Sequence, residues 1–355
     1  MKLIVHFFLL FLFTLVINTV HSQEKKEKKE VNYSKSILFN NLAPLNIELK
    51  VNKKSLLKDV KENPHYHQVV VKYQDSVEGL KECNFEISTR GNFRKNPQNC
   101  NSPPLKLSIP DEISKSSSLF CGQNKIKLVL PCLQESEKSQ ECLILEYLVY
   151  KTYELFTNVS YRTRLVNIAM IDSAKENHAQ NFTGFFLEET EQLAKRNNGK
   201  VLKLKRFHPE KVDRSQMTFL AVFQYFISNT DWSVQAMHNI KLIFIQDQTI
   251  PLAIPYDFDW SGIVNASYAI PAPQLEIKSV RERLFRGYER SMEEYEPVIK
   301  LFNDKKQEIF NLYKNCEWLS ERTKESTIKY IDEFYEIINS PKLVEREFIK
   351  NCRKL

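Results

Sequence analysis

Between Val69 and Lys205 the chain is a succession of short runs of β-branched, aromatic and leucine residues, interrupted only once by a helical period. The runs cover 69–73, 85–90, 105–109, 125–130, 164–171, 184–188 and 201–205. Apolar runs of this length, separated by Gly, Pro, Asn and Ser clusters, are strands. The interruption is Glu141 to Phe156, where Leu145, Leu148, Val149, Tyr153 and Phe156 recur at helical spacing, with Glu146 and Lys151 on other faces. After Ser215 the period changes. Phe219, Val222, Phe223 and Phe226 form one stripe, and Val298, Leu301, Phe302, Ile309 and Tyr313 form another. A third runs through Ile328, Ile331, Phe334, Tyr335 and Ile338, and all three belong to amphipathic helices. The pattern predicts an α+β protein with a β-rich region at 37–214 and a mainly helical region at 215–355.

With 355 residues, 42% hydrophobic and 12% aromatic, the chain can bury a sizeable core. A formal net charge of +7, with Lys and Arg interleaved with Glu, lacks the clustered basic stripe of a nucleic-acid binder. Lys2 followed by the apolar run Leu3 to Ile17 and a polar end at Ser22 and Gln23 predicts a signal peptide over 1–23. A charged, flexible leader follows over 24–36. The expected location is therefore secreted, periplasmic or in the cell envelope, with no transmembrane segment in the mature chain. Seven cysteines suit an oxidising compartment, as three disulfides and one thiol, and Cys316 with Cys352 is one expected pair.

The stretch Asn229 to Gly262 carries the chemistry. Asn229-Thr230-Asp231-Trp232 precedes His238-Asn239, then two apolar runs, 240–245 and 250–256, around Gln246-Asp247-Gln248, then Asp257-Phe258-Asp259-Trp260-Ser261-Gly262. A hairpin of those runs brings Asn239 beside Asp257 at its open end. Asn and Asp oxygens converging beside a further Asp suit Mg²⁺ or Mn²⁺ on nucleotide phosphates, because such ions prefer hard oxygen ligands. Asp231 is then free to act as a base. A base Asp, a ligand Asn, a hairpin and a ligand Asp is also the order of parts in kinase-type phosphoryl transfer.

The motifs Ser88-Thr89-Arg90-Gly91-Asn92-Phe93-Arg94, Pro103-Pro104-Leu105-Lys106-Leu107, Gly184-Phe185-Phe186-Leu187-Glu188-Glu189, Asn229 to Asn239 and Pro255-Tyr256-Asp257-Phe258-Asp259 together touch most of the span from residue 85 to 265. In these the chain resembles the secreted CotH-like family, the spore-coat-protein kinases. It resembles more closely a set of secreted bacterial proteins sharing RGNFR, PPLKL, GFFLEE and PYDFDWSG. The resemblance implies an atypical protein-kinase-like fold of two lobes and transfer of the ATP γ-phosphoryl group to a protein or glycan hydroxyl outside the cytoplasm. It implies Asp231 as catalytic residue and Asn239 with Asp257, or Asp259, as metal ligands.

Such chemistry needs a cation on the nucleotide phosphates. Lys205 and Lys203 are candidates on one strand face, and Lys127 competes. Glu188 or Glu189 pairs with that Lys, with Glu188 the expected partner. Arg90 and Arg94 flank Gly91 in a loop able to lie over phosphates. The chain departs from ordinary kinases in having no GxGxxG motif among its seven glycines, and in a longer interval from Asp231 to Asn239. Two other readings remain: a non-catalytic pseudokinase-type binding protein with a structural cation, and a glycoside hydrolase using Asp231 with Asp257 or Asp259 beside Trp232 and Trp260.

Overall fold

Leu45-Asn46-Ile47-Glu48-Leu49-Lys50-Val51 alternates apolar and polar without a break. In the computed structural model, which describes residues 37–75, 79–116, 118–175 and 179–354, it forms the strand that decides the architecture. This strand, β1 (Leu45–Val51), pairs antiparallel with β2 (His67–Asp75) on one side and parallel with β6 (Thr163–Asp172) on the other. Between them run β3 (Gly79–Thr89), β4 (Leu105–Ser108), β5 (Lys125–Val129) and β7 (Ala179–Leu187), in the order β1-β2-β3-β4-β5-β7-β6. The sheet is a closed seven-stranded barrel of mixed direction.

That closure overturns the expected two-lobed kinase-like fold with a mainly helical second lobe. The described chain is a closed barrel plus helices. The physical reason is β1 itself, absent from the strands expected from sequence. A strand with a partner on each side joins the two free edges of what is otherwise an open sheet, and closure satisfies edge N–H and C=O groups that would otherwise stay unpaired. The expected signal peptide and charged leader lie outside the described residues.

Every second residue points into the barrel. Leu45, Ile47, Leu49 and Val51 meet Val69, Val71, Phe85, Ile87, Leu107, Leu128, Ile168 and Phe186 in one apolar cluster. Phe120 joins it, with Tyr73 and Phe85 edge-on at 4.9 and 5.3 Å. The opposite residues of β5, β6 and β7, among them Val129, Leu165, Phe185 and Leu187, belong to a second cluster built around the helices.

Helix α1 (Glu137–Glu154) lies against that outer face, its N-terminus capped where Ser136 accepts a hydrogen bond from Ser139 N–H. Leu143 to Tyr153 is buried on every side, as expected of a helix enclosed by other elements. Glu146 and Lys151, off the apolar stripe in the sequence, are therefore interior residues. Beyond it come α2 (Thr190–Arg196), β8 (Gly199–Leu202), α3 (Arg214–Phe226), β9 (Ile240–Ile245), β10 (Leu252–Pro255), α4 (Met292–Lys314) and α5 (Glu321–Ile338). Strands β9 and β10 form the expected hairpin, Ile240 opposite Pro255, with β8 added on the far side of β9.

One disulfide, Cys100–Cys132, joins the segment after Arg94 to the connection between β5 and α1. Cys83, Cys121, Cys142, Cys316 and Cys352 are free thiols, so the expected Cys316–Cys352 bond is not formed. Among the described residues no helix is long and apolar enough to cross a membrane.

Candidate phosphate and cation site

The segment after α3 is shaped by local hydrogen bonds that place Asp231. Its N–H donates to Asn229 Oδ1 at 2.9 Å, a side-chain turn of the kind Asn favours. A two-way bridge between Ser233 and His238 then folds 233–238 back on itself. As a result His238 Nε2 reaches Asp231 Oδ1 at 2.8 Å, and Asn239 Nδ2 donates to Asp231 Oδ2 at 2.9 Å and to its backbone oxygen at 2.8 Å. Arg286 braces the same turn by donating to Thr230 O at 2.6 Å. His238 is held above its ordinary pKa, first by the hydrogen bond to Asp231.

The hairpin delivers the second acid. Tyr256 N–H donates to Asn239 O at 3.1 Å, so Asp257 stands beside Asn239 at the open end. Asn239 and Asp257 both adopt left-handed backbone, φ 52° and 65°, as do nearby Ser228 and Met237. Asn and Asp tolerate that region better than most residues, and a concentration of such conformations marks a site where geometry is imposed by its surroundings. Asp257 N–H is fixed by donating to Tyr150 Oη at 2.8 Å. Asp259 is buried and accepts from Tyr268 Oη at 2.8 Å. Burial first, and then the charge of Asp257, push its pKa up to about 7.

These residues form one wall of a cavity of about 490 Å³. The opposite wall is the loop after β3. Arg90 N–H donates to Pro104 O at 2.8 Å, and Gly91 turns the chain at φ +81°, which a side chain would resist. Phe93 meets Trp260 at 5.3 Å and Tyr268 at 5.5 Å, an aromatic clasp joining this loop to the acidic wall. Arg90 and Arg94 line the cavity from this side, and Glu146 and Tyr150, one turn apart on α1, line its floor.

The structure separates the expected cations. Lys203 lies past the end of β8, exposed, with its ammonium 2.8 Å from Glu191, and Lys205 is exposed too; neither lines the cavity. Strand β8 stops at Leu202, so the strand-face expectation fails for both. Lys127 is not in the cavity wall itself but sits on β5 opposite Leu187, which is, and is largely buried over the Tyr161 ring. Burial brings its pKa down to about 8, against the attraction of Glu189.

The acidic partner is also corrected. Lys127 Nζ is 3.4 Å from Glu189. Glu188, fully buried, is instead taken up by Arg196 Nε and Nη2 at 3.0 and 2.9 Å and by Arg162 N–H at 3.1 Å. Glu189, the residue before α2, is the one on the Lys127 side. Trp232 is buried and cannot serve as a sugar platform.

Glu146, Tyr150, His238 and Tyr268 were not among the site residues expected from sequence, and Trp260 was expected only in the hydrolase reading. The one available signal was Glu146, a carboxylate inside the apolar run from Leu143 to Val149. Asn239 uses its amide N–H on Asp231, which leaves its Oδ1 as a hard acceptor beside the exposed Asp257 carboxylate. That donor set fits Mg²⁺ or Mn²⁺. Among the described residues, however, no three His, Cys, Asp or Glu side chains close on a common point. No family model matches the chain, and no curated protein matches it significantly.

Proposed function

We propose that this protein transfers the γ-phosphoryl group of ATP, with Mg²⁺ or Mn²⁺, to a hydroxyl of a protein or sugar. The observation that carries the reading is the opposition of two walls across one cavity. Asp231, Asn239, Asp257 and Asp259 line one, and Arg90 and Arg94 line the other. A phosphate chain with its cation presents both signs of charge at once, and few other ligands do. The motif resemblance to CotH-like kinases supports the same chemistry on a different scaffold, since function resides in sites rather than folds.

The divalent cation, held by Asn239 Oδ1 and Asp257, would offset charge on the phosphate oxygens. Arg90 and Lys127 add to that offset from the barrel side. Asp231, fixed by His238 and Asn239, orients the acceptor hydroxyl and takes its proton. His238, half exposed, passes that proton to solvent. A non-catalytic binding role is the alternative, favoured by one observation: both carboxylate oxygens of Asp231 already accept hydrogen bonds.

Thermal shift with ATP and Mg²⁺ or Mn²⁺ tests the reading, because a ligand that binds only the native state raises its apparent stability. The expected result is metal-dependent stabilisation by ATP that disappears in Asp257→Ala and survives in Asp231→Ala, with phosphate release or transfer lost in both. Stabilisation by ATP without any turnover in the wild type favours the binding role. No response of the wild type to ATP, with stabilisation by Ca²⁺ or Mg²⁺ alone, rejects the transfer reading and favours the binding role, and no response to either rejects both.

A further inference from the structure

Three ionisable side chains line both the 490 Å³ cavity and a smaller one of about 150 Å³ behind it: Arg94, Glu146 and Asp259. They are 9%, 3% and 7% exposed. Among the described residues the Glu146 carboxylate takes part in no hydrogen bond and no ion pair, yet it borders both cavities. Arg94 donates from Nη2 to Leu130 O, but its Nε has no partner and no carboxylate is within ion-pair distance. Asp259 has one hydrogen bond, from Tyr268.

Two other buried polar groups of α1 are partnered. Lys151 Nζ donates to Thr163 O at 2.8 Å and to Glu154 at 3.1 Å, and Thr152 Oγ1 donates to Leu148 O at 2.8 Å. Glu146 stands out from them. A buried charge left without a partner costs several kcal/mol, so such a group is ordinarily paired or neutralised. An anion alone would satisfy Arg94 and oppose the carboxylates. A cation alone would satisfy the carboxylates and oppose Arg94. A divalent cation carrying a phosphate oxygen satisfies both.

We propose that the inner end of the cavity takes a divalent cation together with a phosphate oxygen, with Glu146 as a cation ligand beside Asp259 and Arg94 holding the phosphate oxygen. The proposal rests on the phosphoryl-transfer reading and adds a metal ligand from α1 to it. The carboxylates do not yet converge on one point. The smaller cavity leaves Glu146, with three rotatable bonds, room to swing toward Asp259.

The test is Mn²⁺ binding to the EDTA-treated full chain, read by electron paramagnetic resonance and calorimetry, with and without the non-hydrolysable analogue AMP-PNP. In Glu146→Gln, Mn²⁺ affinity in the presence of AMP-PNP should fall at least tenfold, while the metal-free melting temperature stays the same or rises because a buried acid beside Asp257 and Asp259 is gone. Glu146→Asp should bind Mn²⁺ with intermediate affinity. Arg94→Met should lose the enhancement of Mn²⁺ binding by AMP-PNP and keep binding of Mn²⁺ alone. Wild-type affinity in Glu146→Gln, with binding lost in Asp257→Ala, overturns this inference and leaves the phosphoryl-transfer reading standing. A collapse of the metal-free melting temperature in Glu146→Gln also overturns it, since Glu146 is then a structural residue. Absence of Mn²⁺ and AMP-PNP binding in the wild type removes both.

Discussion

The barrel interior and the cavity beside it are built from neighbouring residues of the same strands and connections, and they obey opposite rules. Inside the barrel, apolar side chains alternate in register and Phe120 fills the space between Tyr73, Phe85 and Phe186. At the cavity, two buried carboxylates and a buried guanidinium lack sufficient partners, and Asn239 and Asp257 hold left-handed backbone. The first region agrees in pattern and in packing, with the Tyr73 hydroxyl its one unpartnered polar atom among the residues of that cluster. The second violates local rules while the fold around it holds it in place, which is what a functional site does.

If the barrel is the stabilising region, opening a void in it should have the largest effect. Phe186→Ala, at a fully buried position of β7, should cost about 3–5 kcal/mol in urea unfolding. A cost below about 1 kcal/mol would break the comparison.

Next in size is Arg196→Ala. It leaves Glu188, 1% exposed at its side chain, without its guanidinium partner, and should destabilise by about 3 kcal/mol. Nucleotide stabilisation should remain, because this pair points away from the cavity.

Removing cost from the cavity should do the reverse. Asp259 has a folded pKa of about 7 against an ordinary value of 3.8, so the folded state holds its proton more tightly than the unfolded chain. The contribution of Asp259 to stability therefore falls as pH climbs from about 4 toward 7 and is level beyond. In EDTA, Asp259→Asn should flatten that slope and be more stable than wild type at pH 8, by on the order of 2–4 kcal/mol. A stability profile that remains as steep in the variant would show that Asp259 is not the group responsible.

The smallest effect separates the lysines. Lys203→Ala and Lys205→Ala change exposed side chains and should alter stability by less than about 0.5 kcal/mol, with ATP stabilisation intact. Lys127→Met should keep the fold and reduce ATP stabilisation. If Lys205→Ala reduces it instead, the choice of the buried Lys127 is wrong.

Much of this was legible in the sequence. Two apolar runs around the turn at Gln246-Asp247-Gln248 gave the hairpin of β9 and β10, and with it the meeting of Asn239 and Asp257, because an antiparallel pair brings its first and last residues together. The gathering of Asp231 with Asn239 was legible only in part. The contact runs through the Ser233–His238 bridge, a return of the chain with no pattern of its own.

The sequence by itself determined the strands it lists by period, the apolar stripes of α3, α4 and α5, and the cluster of Asp and Asn residues between 229 and 259. Only the tertiary structure decided that β1 closes the sheet into a barrel, since pairing with β6 spans a long loop that no local pattern encodes. It also decided that Lys127 is buried beside Glu189, while Lys203 and Lys205 are exposed and Glu188 is taken by Arg196. Which of two adjacent charged residues is buried depends on where a strand ends and what packs against it, and both are properties of the assembled molecule.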